Sequence, residues 1–213
     1  MTPSQTRSPA ARSIGLAASA IAIVLAVACA GCLSKPALKR QTFAFDNPAA
    51  TASATATGDV LAIRSVMVSA LFNEHAFTYR TGDLSYETDP YAGFLIAPGQ
   101  AVAIASRALL LNSGRFKDVV EPGSHTKPDR IIEIYVTELY GDFSKHGQPA
   151  AVLSLRVSLF EPGVGRDRQS VMHKDYSRRI EISQNTASAV MTGWNTALTQ
   201  IMADVAAQLS AAK

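Results

Sequence analysis

The chain has 213 residues, two cysteines and a formal charge of +3, and 47% of its residues are hydrophobic. A chain of this length is large enough for one domain that buries about 70% of its unfolded surface without crosslinks. The near-neutral charge leaves no electrostatic footprint for nucleic acid, and two cysteines exclude a disulfide framework.

Residues 1–31 read as a leader. Arg7 and Arg12 form a positive start, and Ile14 to Val27 is an uncharged run of small and aliphatic residues. Cys29-Ala30-Gly31-Cys32 follows, where small residues precede a cysteine as a lipoprotein signal peptidase requires. Cys32 has the better small-residue pair before it and is the expected lipid-attachment site. Cys29, with the more apolar approach, is the alternative. Either choice leaves no thiol in the domain for a disulfide, a nucleophile or a metal. The competing reading is a retained transmembrane anchor, since about seventeen apolar residues at 1.5 Å each come near the roughly 30 Å of hydrocarbon.

Acyl chains such as palmitate would hold the protein on a membrane without spanning it. Neither Leu33 nor Ala30 is the aspartate associated with inner-membrane retention, so the expected place is the inner leaflet of the outer membrane, facing the periplasm. Removing the two leader arginines takes the charge from +3 to +1.

Residues 32–58 form the lipidated N-terminus and a linker poor in large side chains, Ala49 to Thr57. Within it, Phe43 and Phe45 can add an edge strand. The domain, residues 59–213, opens with a strand over Val60 to Val68 in which Leu61, Ile63 and Met67 alternate with Ala62, Arg64, Val66 and Val68, apolar on both faces. Phe77 to Arg80 and Leu84 to Glu87 flank the turn former Thr81-Gly82-Asp83 and predict a hairpin that Asp89-Pro90 ends. After Pro98-Gly99 the period becomes helical, with Val102, Ala105 and Leu109 on one face, Ala101, Ile104, Ala108 and Leu111 beside them, and Gly114 as a left-handed cap. Phe116 to Val120 predicts a short strand.

Two long strands follow. Ile132, Ile134 and Val136 share one face of the first, and Ala151, Leu153, Leu155, Val157 and Leu159 point inward from the second. Their short connection predicts an antiparallel pair. Glu161 to Gly165 turns into a weaker strand between Ser170 and Ile182, and a final amphipathic helix runs from about Thr186 to Leu209. The pattern predicts an α+β fold: two layers, a mixed and mostly antiparallel sheet, and two long helices packed on it.

Residue patterns that carry chemistry are few. His75, His125, His146 and His173 lie in loops or the weak strand, without the spacing or cysteines that zinc sites use, so no metal is expected. No Gly-x-Ser-x-Gly pattern occurs, and Gly163-Val164-Gly165 leads into a strand, not a helix N-terminus suited to phosphate. Glu133 and Glu138, five apart on one strand, fall on opposite faces unless a bulge intervenes, and Glu133 is expected beside Arg156. Trp194 and the stripe around it read as core. The uncharged segment Tyr91 to Ala97 either seats the helix on the sheet or forms a contact surface, with Tyr91 and Phe94 as candidate partner or lipid contacts. No catalytic residue and no cofactor are expected.

The order of features resembles the ABC-type transport auxiliary lipoprotein family, which includes the PqiC-like lipoproteins. The resemblance runs through Gly31-Cys32, Leu61 to Val66, Phe77 to Arg80 with Leu84 to Tyr86, Leu109 to Val119, and the long strands at 131–140 and 151–160. Relatives commonly carry a tryptophan before the first long helix, where this chain has Tyr91 and Phe94. The resemblance implies a non-enzymatic component of a lipid-transport system. Its implied partners are a periplasmic MCE-domain protein, an inner-membrane ABC permease and ATPase, the membrane through the acyl anchor, and phospholipid. A homo-oligomeric ring would suit a symmetric partner. The alternative is a subunit of an outer-membrane secretion channel or another envelope assembly.

Overall fold

The computed structural model describes residues 39–49, 58–161 and 170–211. The leader with Cys29 and Cys32, linker residues 50–57 and most of the turn after Glu161 lie outside the described residues. Strands are β1 (Gln41–Phe43), β2 (Val60–Val68), β3 (Ala76–Arg80), β4 (Tyr86–Phe94), β5 (Asp118–Val120), β6 (Arg130–Asp142), β7 (Ala150–Phe160) and β8 (Ser170–Glu181). Helices are α1 (Pro98–Asn112) and α2 (Ala187–Ala211), and a single 3-10 turn spans Ala70–Phe72.

The eight strands form one mixed sheet that forks at β6. Along one edge β6 pairs antiparallel with β7, and β7 with β8. The opposite edge is shared: β2 pairs with it in parallel from Arg130 to Val136, and β3 joins it at Gly141 and Asp142. Between these limbs the Ser69 N–H donates to the Val136 carbonyl at 2.9 Å. The β2 limb ends in β5, and the β3 limb continues through β4 to β1. The long ladders are antiparallel, as the short connections predict, while the pairings that build the two limbs are mostly parallel and join residues distant in sequence.

Both helices cover one face: α1 lies on β2 and β5, α2 on β7 and β8, and the helices touch each other. α2 begins where the Thr186 hydroxyl accepts the Ala189 N–H at 3.3 Å, an N-cap. Its predicted stripe, Val190, Trp194, Ala197, Ile201, Val205 and Leu209, is fully buried. Trp194 is the centre of an aromatic cluster with Phe77 at 4.8 Å and Phe94 at 5.5 Å between ring centroids. Its indole N–H donates to the carbonyls of Val152 at 3.1 Å and Tyr140 at 3.3 Å, so this tryptophan is buried with its polar group satisfied. α1 starts with Pro98, whose missing N–H is an orphan of the first turn anyway, and is followed by Gly114 at φ 68°, the left-handed residue expected past its end. Among the described residues, no helix is long and apolar enough to cross a membrane.

β1 is the edge strand expected from Phe43 and Phe45. It pairs with β4 at Ala92 to Phe94, and Phe45 stacks on Phe94 at 6.0 Å. Three expectations are corrected. The hairpin does not end at Asp89-Pro90; β4 continues to Phe94. Pro90 sits where the β3 ladder is interrupted, and Asp89 Oδ1 accepts the N–H groups of Tyr91 at 2.8 Å and Ala92 at 3.0 Å, so the proline removes no ladder bond. In β2, a bulge between Ile63 and Ser65 reverses the alternation and turns Met67 outward, 55% exposed, away from the buried Leu61 and Ile63. A second bulge, between Val136 and Glu138, does the same in β6.

Candidate interaction surface

The second bulge decides where the carboxylates go. Glu133 lies opposite Ser158 and Glu138 opposite Ser154, so both occupy the sheet face without helices. They are still not an acid and base pair. Four residues of β7 separate their partners, about 13 Å at strand spacing, and each is engaged: Glu133 accepts from Arg64 Nε at 2.7 Å and Glu138 from the Ser154 hydroxyl at 2.5 Å. Glu133 thus pairs with Arg64 and not with Arg156, whose guanidinium forks onto Asp175 at 2.7 and 3.0 Å. That hydrogen bonding holds the Asp175 carboxyl below the usual range.

The helix-free face is tiled with such pairs. Arg64 also lies 4.6 Å from the Phe160 ring centroid. Farther along, Asp142 accepts from Ser144 and Arg179. Ser158 and His173 Nδ1 are 2.8 Å apart beside Asp175, which is the nearest approach to a nucleophile, base and acid. Both neighbouring ladders pair the backbone of β7 here, however, so among the described residues no pair of free N–H groups lies beside Ser158 to hold an oxyanion. Among the described residues no group of three or more His, Cys, Asp and Glu could hold a metal ion. His75 Nδ1 is 3.3 Å from the Phe94 carbonyl.

Between the charged pairs the same face exposes Met67 and Tyr135, which are direct partners across β2 and β6. It also holds a cluster in which Tyr86 meets Phe72 at 6.1 Å and Tyr140 at 5.7 Å, flanked in sequence by the exposed Leu71 and Leu84. An antiparallel-type sheet with one open face can carry polar residues there; this one adds large apolar residues among charges that are already paired, which is the composition of a contact surface more than of a solvent face.

The two aromatic residues expected as contacts part company. Tyr91 is 48% exposed, whereas Phe94 is 4% exposed and belongs to the Trp194 cluster. They are separated by the irregular stretch of β4 where Asp89 accepts the N–H groups of Tyr91 and Ala92, and of the two only Tyr91 is accessible. The segment seats the helix layer through Phe94 and leaves Tyr91 free. Sequence reasoning missed Met67 because the bulge that exposes it leaves no local mark, whereas Tyr135 falls opposite the Ile132, Ile134 and Val136 face by plain alternation.

No family model matches the chain, and no curated protein matches it in sequence. The fold does have solved counterparts. A Xanthomonas campestris protein of the family named DUF330 superposes with a TM-score of 0.63 at 16% identity, covering 82% of this chain and 94% of that one. A protein described only as uncharacterized superposes at 0.64 with 14% identity, covering 80% of this chain and 99% of that one. The PelC dodecamer from Paraburkholderia phytofirmans gives a TM-score of 0.44 at 14% identity over 72% of this chain and 92% of that one. The chain therefore shares the α+β fold of the DUF330 protein over nearly all of that protein's length.

Proposed function

We propose that this protein is a non-enzymatic lipoprotein of the ABC-type transport auxiliary family, anchored to the inner leaflet of the outer membrane and docking the periplasmic MCE protein of an intermembrane lipid-transport system. The observation that carries the reading is the whole-domain fold shared with a DUF330 protein, the family of the PqiC-like lipoproteins. The leader ending at Gly31-Cys32 supports it. So does a helix-free sheet face that offers apolar side chains among paired charges. The secretion-channel alternative needs an amphipathic hairpin free to line a barrel. The candidate hairpin, β6 with β7, has its apolar face buried under α2, so releasing it would expose the core.

The test is purification of the full-length lipoprotein from native envelopes in mild detergent, with mass spectrometry of accompanying proteins and lipids. An MCE-domain protein and an ABC permease are expected, together with an acyl-modified N-terminus that Cys32→Ser abolishes. Recovery of the protein alone, or in pore-like assemblies without those partners, overturns the transport reading.

A further inference from the structure

β2 has strands on both edges only at its start. β5 pairs with Val60 to Ala62, whereas β6 follows β2 to Val68, so from Ile63 one edge of β2 has no strand partner among the described residues, up to the start of α1, where Gly99 stands against the Val66 carbonyl. Beside this open edge lies a groove of about 500 Å³ between the sheet and α1. Ile63, Val66 and Val120 form its floor, and Ala103, Ile104 and Arg107 its helical wall, all on one face of α1. Ile104 is 41% exposed although the helical pattern predicts it beside the buried face. At one end stands Arg107, whose buried Nε has no hydrogen-bond partner and forms only a long ion pair, at 3.6 Å, with Oε1 of the largely exposed Glu121.

We propose that this groove binds an extended segment of a partner protein, which adds to β2 as a continuation of β5, sets an apolar side chain against Ile104 and Val120, and places a carboxylate on Arg107. Three chemistries converge on that occupant. Unpaired strand backbone calls for another backbone, the groove calls for an apolar side chain, and the under-bonded guanidinium calls for an anion. An acyl chain with an acidic head would satisfy the last two. It would also strip water from the β2 edge without replacing its hydrogen bonds, at about 1–3 kcal/mol for each group left unpaired. The inference does not rest on the transport reading, because it names a segment's chemistry and not its owner.

The probe is a phage library of short random peptides, selected on the full-length lipoprotein in detergent micelles, with the selected peptides then synthesised. They should alternate apolar and polar residues with an acidic residue at one end. Binding should weaken about tenfold or more in Ile104→Glu, in Arg107→Gln, and when alternate peptide nitrogens are methylated. Thermal melts report whether each variant still folds, and the methylated peptides test strand pairing on the unaltered protein. Affinity indifferent to methylation, selected peptides insensitive to both variants, or palmitate occupying the groove while no peptide does, would overturn the proposal. So would self-association that Ile104→Glu abolishes, since the occupant would then be a second copy.

Discussion

At the scale of single residues, the contrast between two buried aromatic side chains is informative. Trp194 enters the core with its N–H shared by two carbonyls. Tyr176 points from β8 toward α2, is 6% exposed, and its hydroxyl has no hydrogen-bond partner. Burial first, and then the Asp204 charge, raises its pKa above the ordinary phenol value. A hydroxyl removed from water and left unpaired costs about 1–3 kcal/mol, whereas a phenyl ring of the same shape avoids that cost. Tyr176→Phe should therefore raise stability by about 1 kcal/mol, read as a higher urea midpoint at unchanged slope. A lower midpoint would mean that the hydroxyl finds a partner in solution, such as a trapped water. The pairing of Tyr91 with Phe94 fails at this same scale. In the sequence the two aromatics look alike; the interruption of β4 at Asp89 and Pro90 leaves one exposed and carries the other into the Trp194 cluster.

Between elements, packing outweighs propensity. Gly193 faces β7 from the middle of α2, and a Cβ there would lie 2.5 Å from Ala151 Cβ and 3.1 Å from Ile182 Cγ2. Alanine is favoured over glycine by about 1 kcal/mol in a helix, but overpacking costs typically 1–3 kcal/mol. Ala151 Cβ cannot rotate away, so the clash should win. Gly193→Ala should lower the denaturation midpoint, and adding Ala151→Gly should restore it; stabilisation by the single change would show that α2 can lift off β7 freely. Elements fixed by local periodicity were legible in the sequence: β2 to the residue, the β6 and β7 pair, the burial stripe of α2, even β1 from two phenylalanines. What local pattern could not supply is set by distant partners. The bulges at Arg64 and before Glu138 answer to strand twist and register across β6, and they alone move Met67 outward and bring Glu133 and Glu138 to one face. The groove under Ile104 was invisible for the same reason, since it exists because β5 stops at Val120 while β2 runs on to Val68.

For the whole molecule, one carboxylate joins parts of the fork that are remote in sequence. Asp142 ends β6, lies opposite Arg80 of β3, and accepts the Ser144 N–H at 3.0 Å, the Ser144 hydroxyl at 2.6 Å and a guanidinium hydrogen bond from Arg179 of β8. Burial by itself would raise its pKa; the hydrogen bonds from Ser144 and the contact with Arg179 together outweigh burial and hold it below the ordinary carboxylate value. A depressed pKa in the folded state means that the unfolded chain takes up the proton more readily. The resulting stability is complete above the unfolded value of about 3.9 and is lost as pH falls through the lower folded one. Asp142→Asn keeps the shape and removes this linkage. The variant should be less stable than the parent at neutral pH, and the gap should close as pH falls below about 4. Asp175, also depressed, is held by Arg156 in both proteins and cancels in the difference. Because the Asp142 carboxylate ties the end of β6 to β8, beside the backbone pairing of β6 with β3, the acid transition should be cooperative, with far-ultraviolet circular dichroism and Trp194 fluorescence changing together. A gap that stayed constant or widened on acidification would show that the Asp142 cluster does not hold the fork closed. Two probes that separated would show that the sheet and the core around Trp194 do not come apart as one cooperative unit.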